Sequence, residues 1–283
     1  MDGVSRRAGR KAVGRSRSSS AAGARKWPPH SPIHPTVVAA IEAARAAGEV
    51  AMRYYRGGFE VTIKPDQTPV TQADREAEQA IKRVLGRAFP NHGFLGEELG
   101  EEGPKDRRWI IDPIDGTRNF IRRVPIWAVL IGLEEAGEVT AGVVFNPASN
   151  EMFWARRGDG AWSEGERLRV SGCATLKDAF LLHSDLHLLR TAGHWDGFLR
   201  MLDGCGRTRG FGDYYGYGLV ASGKAEIYLE TDLKPWDVAP VKILVEEAGG
   251  RLTDFSGKPT IYTGSVLATN GRLHDEALRA LTG

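Results

Sequence analysis

The sequence predicts a layered, mixed α/β fold. Three observations carry this: apolar residues at helical spacing open the body of the chain, short strands joined by tight turns follow, and helices alternate with strands through the last third. With 283 residues, 41% of them hydrophobic and 26% charged, the chain can bury a core as one large domain or two intimate ones.

From Pro35 onward, Val37, Val38, Ile41, Ala44, Ala47, Gly48 and Ala51 recur three to four apart, which predicts a helix ending near Gly57-Gly58. Lys64-Pro65-Asp66 and Thr68-Pro69 mark a loop. A second helix is predicted over 71–88, with Ala77, Ile81, Val84 and Leu85 on one face. Strand-like runs at 93–96, 109–114, 127–134, 139–145 and 151–155 then read as a meander, with a hairpin tip at Glu134-Glu135-Ala136-Gly137-Glu138. In the last third the pattern predicts helices over 189–202, 214–222, 238–248 and 274–281. Strands are predicted at 207–211, 226–230, 251–254 and 265–269. No internal repeat is present.

Residues 1–33 are different in kind. They hold eight Lys or Arg against one acid, so that of 38 basic and 36 acidic residues the remainder keeps 30 and 35. The body is acidic, and the basic character belongs to this tail. Ser, Gly, Ala and Arg dominate it, too few apolar groups to offset the entropy of ordering, so the tail is read as disordered or as an over-long start. An organelle transit peptide and a basic arm contacting nucleic acid are the alternatives. The acidic body, without basic–aromatic interleaving, argues against a nucleic-acid partner. No stretch approaches a membrane span. Cys173 and Cys205 lack metal-binding spacing and read as free thiols of a reducing compartment, the cytoplasm. His183, His187 and His194 read as structural or surface residues, and the glycines between Gly206 and Gly218 do not form a dinucleotide fingerprint.

Four segments place acids at element ends: Thr71-Gln72-Ala73-Asp74, Gly96-Glu97-Glu98, Asp112-Pro113-Ile114-Asp115-Gly116-Thr117 and Trp236-Asp237. Asp112 follows the apolar strand Trp109-Ile110-Ile111, and Pro113 stiffens the turn toward Asp115. Two carboxylates on such a turn suit hard cations. The N–H groups of Gly116 and Thr117 suit an anion. Together these are the parts of metal-assisted phosphoryl transfer. Each segment also has a plainer reading: turn-forming aspartates, a solvated acidic loop at Glu97-Glu98, a first-turn acid at Asp74 and a helix cap at Asp237.

The joint pattern resembles the inositol-monophosphatase family of Mg-dependent, lithium-sensitive phosphatases. The matching stretches are Lys64 with Pro69-Val70-Thr71-Gln72-Ala73-Asp74, then Phe94-Leu95-Gly96-Glu97-Glu98. Further along come Trp109-Ile110-Ile111-Asp112-Pro113-Ile114-Asp115-Gly116-Thr117-Arg118-Asn119-Phe120, Trp236-Asp237-Val238-Ala239-Pro240 and Glu246-Glu247-Ala248-Gly249-Gly250. The resemblance covers about residues 34–283. It implies a layered αβαβα sugar-phosphatase fold, with a metal-binding α+β half over 34–180 and an α/β half over 181–283 completing the metal and substrate site. It further implies two to three Mg²⁺ ions, a small phosphorylated metabolite as substrate and a homodimer. Glu97, Asp112, Asp115 and the Ile114 carbonyl would ligate metal, with Asp74 and Asp237 completing the second and third ions. Thr117, hydrogen-bonded near Asp74, would orient the attacking water, and Glu98 would support the water network. Gly116 and Thr117 would hold phosphate.

The run Gly212-Asp213-Tyr214-Tyr215-Gly216-Tyr217 and the acid Glu230 resemble most the histidinol-phosphate phosphatase branch. Two acids, Asp213 and Glu230, beside Asp237 would suit a substrate carrying an ammonium and an imidazole. Inositol 1-phosphate and 3′-phosphoadenosine 5′-phosphate remain alternatives. So does a plain helix cap at Asp213.

Overall fold

The computed structural model describes residues 33–58, 60–63 and 69–283. The tail expected at 1–33 lies outside them apart from Ile33, as do residues 64–68 of the first predicted loop. Helices α1 (Pro35–Arg56) and α2 (Gln72–Ala88) are separated by the short hairpin β1 (Val61–Ile63) and β2 (Pro69–Thr71). Next come β3 (Gly93–Gly96), β4 (Gly100–Glu102) and β5 (Arg107–Asp115), followed by a short helix, α3 (Thr117–Ile121). Strands β6 (Ala128–Glu135), β7 (Glu138–Asn146), β8 (Glu151–Arg156), β9 (Gly160–Ser163) and β10 (Glu166–Arg167) complete an eight-stranded sheet in the order β10-β9-β8-β7-β6-β5-β3-β4. From β5 to β8 it is the predicted meander, β9 and β10, which were not predicted, extend it antiparallel, and β3 joins β5 in parallel.

The second half contributes β11 (Phe180–His183), α4 (Leu186–Thr191), α5 (Trp195–Gly204), β12 (Arg207–Gly210) and α6 (Asp213–Ala221). It continues with β13 (Ile227–Thr231), α7 (Pro235–Glu247), β14 (Arg251–Thr253), β15 (Ser265–Thr269) and α8 (His274–Thr282). Its strands form a five-stranded mixed sheet, β12-β11-β13-β15-β14.

The layers follow from which side chains each sheet buries. Along β5 and β6, Trp109, Ile111, Val129 and Ile131 point to α1 and α2, while Ile110, Ala128 and Leu130 point to α6 and α7. Alternate residues of one strand thus enter two cores, which is why these strands read as unbroken apolar runs. Helices α6 and α7 lie between the two sheets, and α4, α5 and α8 cover the far face of the second. The stack is α/β/α/β/α.

Three expectations need correction. The helix predicted over 189–202 is two helices, because Gly193 takes φ +83°, which no continuing α-helix accommodates. Val38 is 40% exposed and does not belong to the buried face of α1. The helix α3 was absent from the predicted elements; its five residues are too few for a periodicity signal.

Candidate active site

The register of β3 against β5 creates the site. Gly96 pairs with Ile111 in parallel, so the residues that follow, Glu97 and Asp112, leave the sheet side by side at its carboxyl edge. The Glu97 N–H donates to the Ile111 carbonyl at 3.1 Å. Beyond Asp112 the pairing with β6 is irregular as far as Asp115, and the Ile114 N–H donates to Asp112 Oδ1 at 2.9 Å. From the other half, the first turn of α7 delivers Asp237, whose Oδ2 accepts the Lys234 N–H at 2.7 Å. Asp112, Asp115 and Asp237 each offer an oxygen within 4.8 Å of the others. Among the described residues no Lys or Arg is paired with any of the three. An all-oxygen, anionic, largely buried donor set fits a hard divalent cation such as Mg²⁺.

Asp74 approaches from α2. The Thr71 N–H and hydroxyl both donate to its Oδ2, at 2.8 and 2.6 Å. Asp74 and Asp237 do sit in the first turn of their helices, as the plainer reading had it, and that placement is what aims them at the site. The hydroxyl bonded to Asp74 is Thr71's. Thr117, expected there, instead donates to the Ile114 carbonyl at 3.0 Å.

The carboxylates act on one another. Burial and then the charge of Glu97, Asp115 and Asp237 hold Asp112 well above the ordinary carboxylate range. Burial and then Asp213, Asp237 and Glu230 do the same to Asp115. Burial pushes Asp74 and Asp237 up to about 7 and Glu230 to about 8. These acids keep protons in the folded, metal-free chain that the unfolded chain gives up near pH 4. Across that interval the native state binds more protons, so stability falls as pH rises. In EDTA the melting temperature should therefore drop between about pH 5 and pH 8, and saturating Mg²⁺ should remove most of the drop by binding the ionised form. A melting temperature that rises over this range in EDTA would contradict the assignment.

The side expected to face substrate is built around the turn after Asp115. Gly116 has φ +80°, where an L side chain is strained, and a Cβ there would lie 3.2 Å from Asp213 Oδ2. The Asp213 carboxylate thus rests against the backbone expected to hold phosphate. It does not cap α6. Its Oδ2 accepts the Asn119 amide at 2.7 Å, while the Tyr214 N–H donates to Asp115 Oδ2 at 2.7 Å. Burial pushes Asp213 up to about 6. Glu230, 6% exposed, accepts the Tyr217 hydroxyl at 2.9 Å. Tyr214 also lines, with Pro125, Ile126, Asn146 and Tyr215, a cavity of about 480 Å³.

Sequence reasoning missed Glu78. Its carboxylate is fully buried and accepts the N–H groups of Glu98 and Leu99 at 2.8 and 3.2 Å, which fixes the turn that presents Glu97. Gly96 is required beside it, since a Cβ there would lie 1.9 Å from Glu78 Oε1. The available signal was spacing: Glu78 lies four residues after Asp74, on the same buried face of α2. Asn119 was quoted in a motif but given no role.

Residues 33–282 match the model of the inositol monophosphatase family. A histidinol-phosphatase of Streptomyces coelicolor is 42% identical over 245 residues, covering 83% of this chain and 92% of that protein. An inositol-1-monophosphatase of Mesorhizobium japonicum is 37% identical over 251 residues, covering 85% and 94%. Among solved structures, the extragenic suppressor protein suhB of Bartonella henselae superposes with a TM-score of 0.83 at 34% identity, covering 88% of this chain and 99% of that one.

Proposed function

We propose that this chain, which belongs to the inositol monophosphatase family of phosphoric monoester hydrolases, hydrolyses histidinol phosphate to histidinol and inorganic phosphate. The observation that carries the substrate is the pair of buried acids, Asp213 and Glu230, set against the site in addition to the carboxylates a metal would need. A substrate bearing an ammonium and an imidazole offsets their charge; a neutral polyol does not. The 42% identity to a histidinol-phosphatase, against 37% to an inositol-1-monophosphatase, supports the same reading.

Glu97, Asp112, Asp115 and Asp237, with Asp74 and the Ile114 carbonyl, are the residues that would hold Mg²⁺. When bound, the metal supplies charge neutralisation at the phosphoryl group and an acidified water. The chain's residues do the rest. The N–H groups of Gly116 and Thr117 hold the phosphate against the Asp115 turn. Asp74, its Oδ2 fixed by Thr71, keeps Oδ1 for the cation, and Glu98 supports the water network. Asp213 and Glu230 orient the cationic end so that phosphorus faces that water, an arrangement that lowers the entropic part of the barrier. No covalent phosphoenzyme is involved. On the same resemblance the working form is a homodimer, and the two free cysteines, Cys173 and Cys205, support a cytoplasmic location.

Relative kcat/KM for histidinol phosphate, inositol 1-phosphate and 3′-phosphoadenosine 5′-phosphate tests the substrate. A preference for histidinol phosphate of about tenfold or more, roughly 1.4 kcal/mol, is expected. Preference for either competitor would overturn the reading of Asp213 and Glu230 while leaving the metal chemistry standing.

A further inference from the structure

We infer that Asn119 is the positioning residue for substrate specificity: its amide fixes the Asp213 carboxylate over the phosphate turn without neutralising it. This rests on the histidinol-phosphate reading above. Asp213 needs fixing. Its backbone φ is +56°, a left-handed conformation uncommon for a residue other than glycine, and its side chain makes no capping bond at the N-terminus of α6, which it opens. The restraint on the side chain comes from 94 residues away, the Asn119 Nδ2 to Asp213 Oδ2 bond of 2.7 Å.

Three features of that contact suit specificity. First, Asn119 lies in α3, three residues after Gly116 and next to the segment that carries Asp112 and Asp115. The same short stretch thus presents the phosphate turn and sets Asp213's orientation relative to it. Second, the α6 start is tied down twice to that stretch, through the Asn119 amide and through the Tyr214 N–H on Asp115, so the distance between the phosphate turn and Asp213 is fixed. Third, an amide is a neutral donor. Lysine or arginine in its place would hold the carboxylate equally well but cancel the charge that must meet a cationic substrate. With Oδ2 taken by Asn119, Oδ1 is the oxygen left for the ligand; among the described residues none donates to it.

The test is a double-mutant cycle of Asn119→Ala and Asp213→Gly, glycine being at ease at φ +56°. It is read on histidinol phosphate and on glycerol 2-phosphate, which has no cation. Asn119→Ala should lower the ratio of the two kcat/KM values about tenfold, chiefly through KM for histidinol phosphate, and should lower it no further in the Asp213→Gly background. Should Asn119→Ala melt too low for rates to be compared, Asn119→Gln, which displaces the amide by one methylene, carries the same cycle. A proportional loss on both substrates, or a full Asn119 effect without Asp213, would overturn the inference. A wild type without preference for histidinol phosphate sinks the functional reading instead. The cycle is then read on its best substrate, where additivity of the two changes overturns the role of Asn119 and non-additivity upholds it.

Discussion

Asp112→Asn should lower kcat/KM by about three orders of magnitude, the several kcal/mol expected when a metal-assisted site loses a central ligand, and should raise the melting temperature of the metal-free protein. The two effects share one cause. Asp112 is 3% exposed and held well above its ordinary range by burial and by Glu97, Asp115 and Asp237. Its carboxylate is costly to the fold at neutral pH and useful only with a cation beside it. Asparagine keeps the side-chain oxygen that accepts the Ile114 N–H, so the turn has no reason to unravel, while the cost of holding a proton on this carboxylate at neutral pH disappears. At about 2–4 °C per kcal/mol for a domain of this size, a rise of several degrees in EDTA is expected. Mg²⁺ should then stabilise the variant less than the wild type. Phosphate release and thermal melts with and without Mg²⁺ check both halves, and an Asp112→Asn protein that is fully active would remove Asp112 from the site.

Glu78→Ala should weaken activity through the metal rather than through the substrate. The Glu78 carboxylate takes the N–H groups of Glu98 and Leu99. Its loss removes the partner of both part-buried N–H groups and frees the turn that aims Glu97. Changes to residues that orient metal ligands lower affinity or activity about 10–100-fold. The Mg²⁺ concentration for half-maximal activity should rise by that factor, with kcat partly recovered at saturating Mg²⁺ and KM little changed. An unaltered Mg²⁺ dependence would show that Glu78 only supports packing.

Much of this was legible in the sequence for identifiable reasons. Helices α1 and α2 carry a clear 3.6-residue pattern, and strands β5 to β8 are apolar runs bounded by turns. The Asp112–Asp115 turn combines a strand end, a proline and a glycine in a form with few other readings. What stayed hidden depends on contacts between distant segments. That Glu97 and Asp112 are neighbours follows from the parallel Gly96–Ile111 register, which no local pattern announces. The Asn119–Asp213 bond joins the short helix α3 to the start of α6, 94 residues further on. Glu78 looked like one more charge on an amphipathic helix, and only burial reveals it as a scaffold. The break between α4 and α5 turns on a single glycine whose φ cannot be read from its neighbours.

The most direct test of the central claim, that the carboxylate cluster is a divalent-cation site driving phosphomonoester hydrolysis, is a Mg²⁺ titration of phosphate release from histidinol phosphate. The titration starts from EDTA-treated protein. Release should be negligible at the start, rise saturably with Mg²⁺, and fail to rise for Asp112→Asn. Release that persists undiminished in excess EDTA, or that Mg²⁺ restores equally in the variant, would contradict the account.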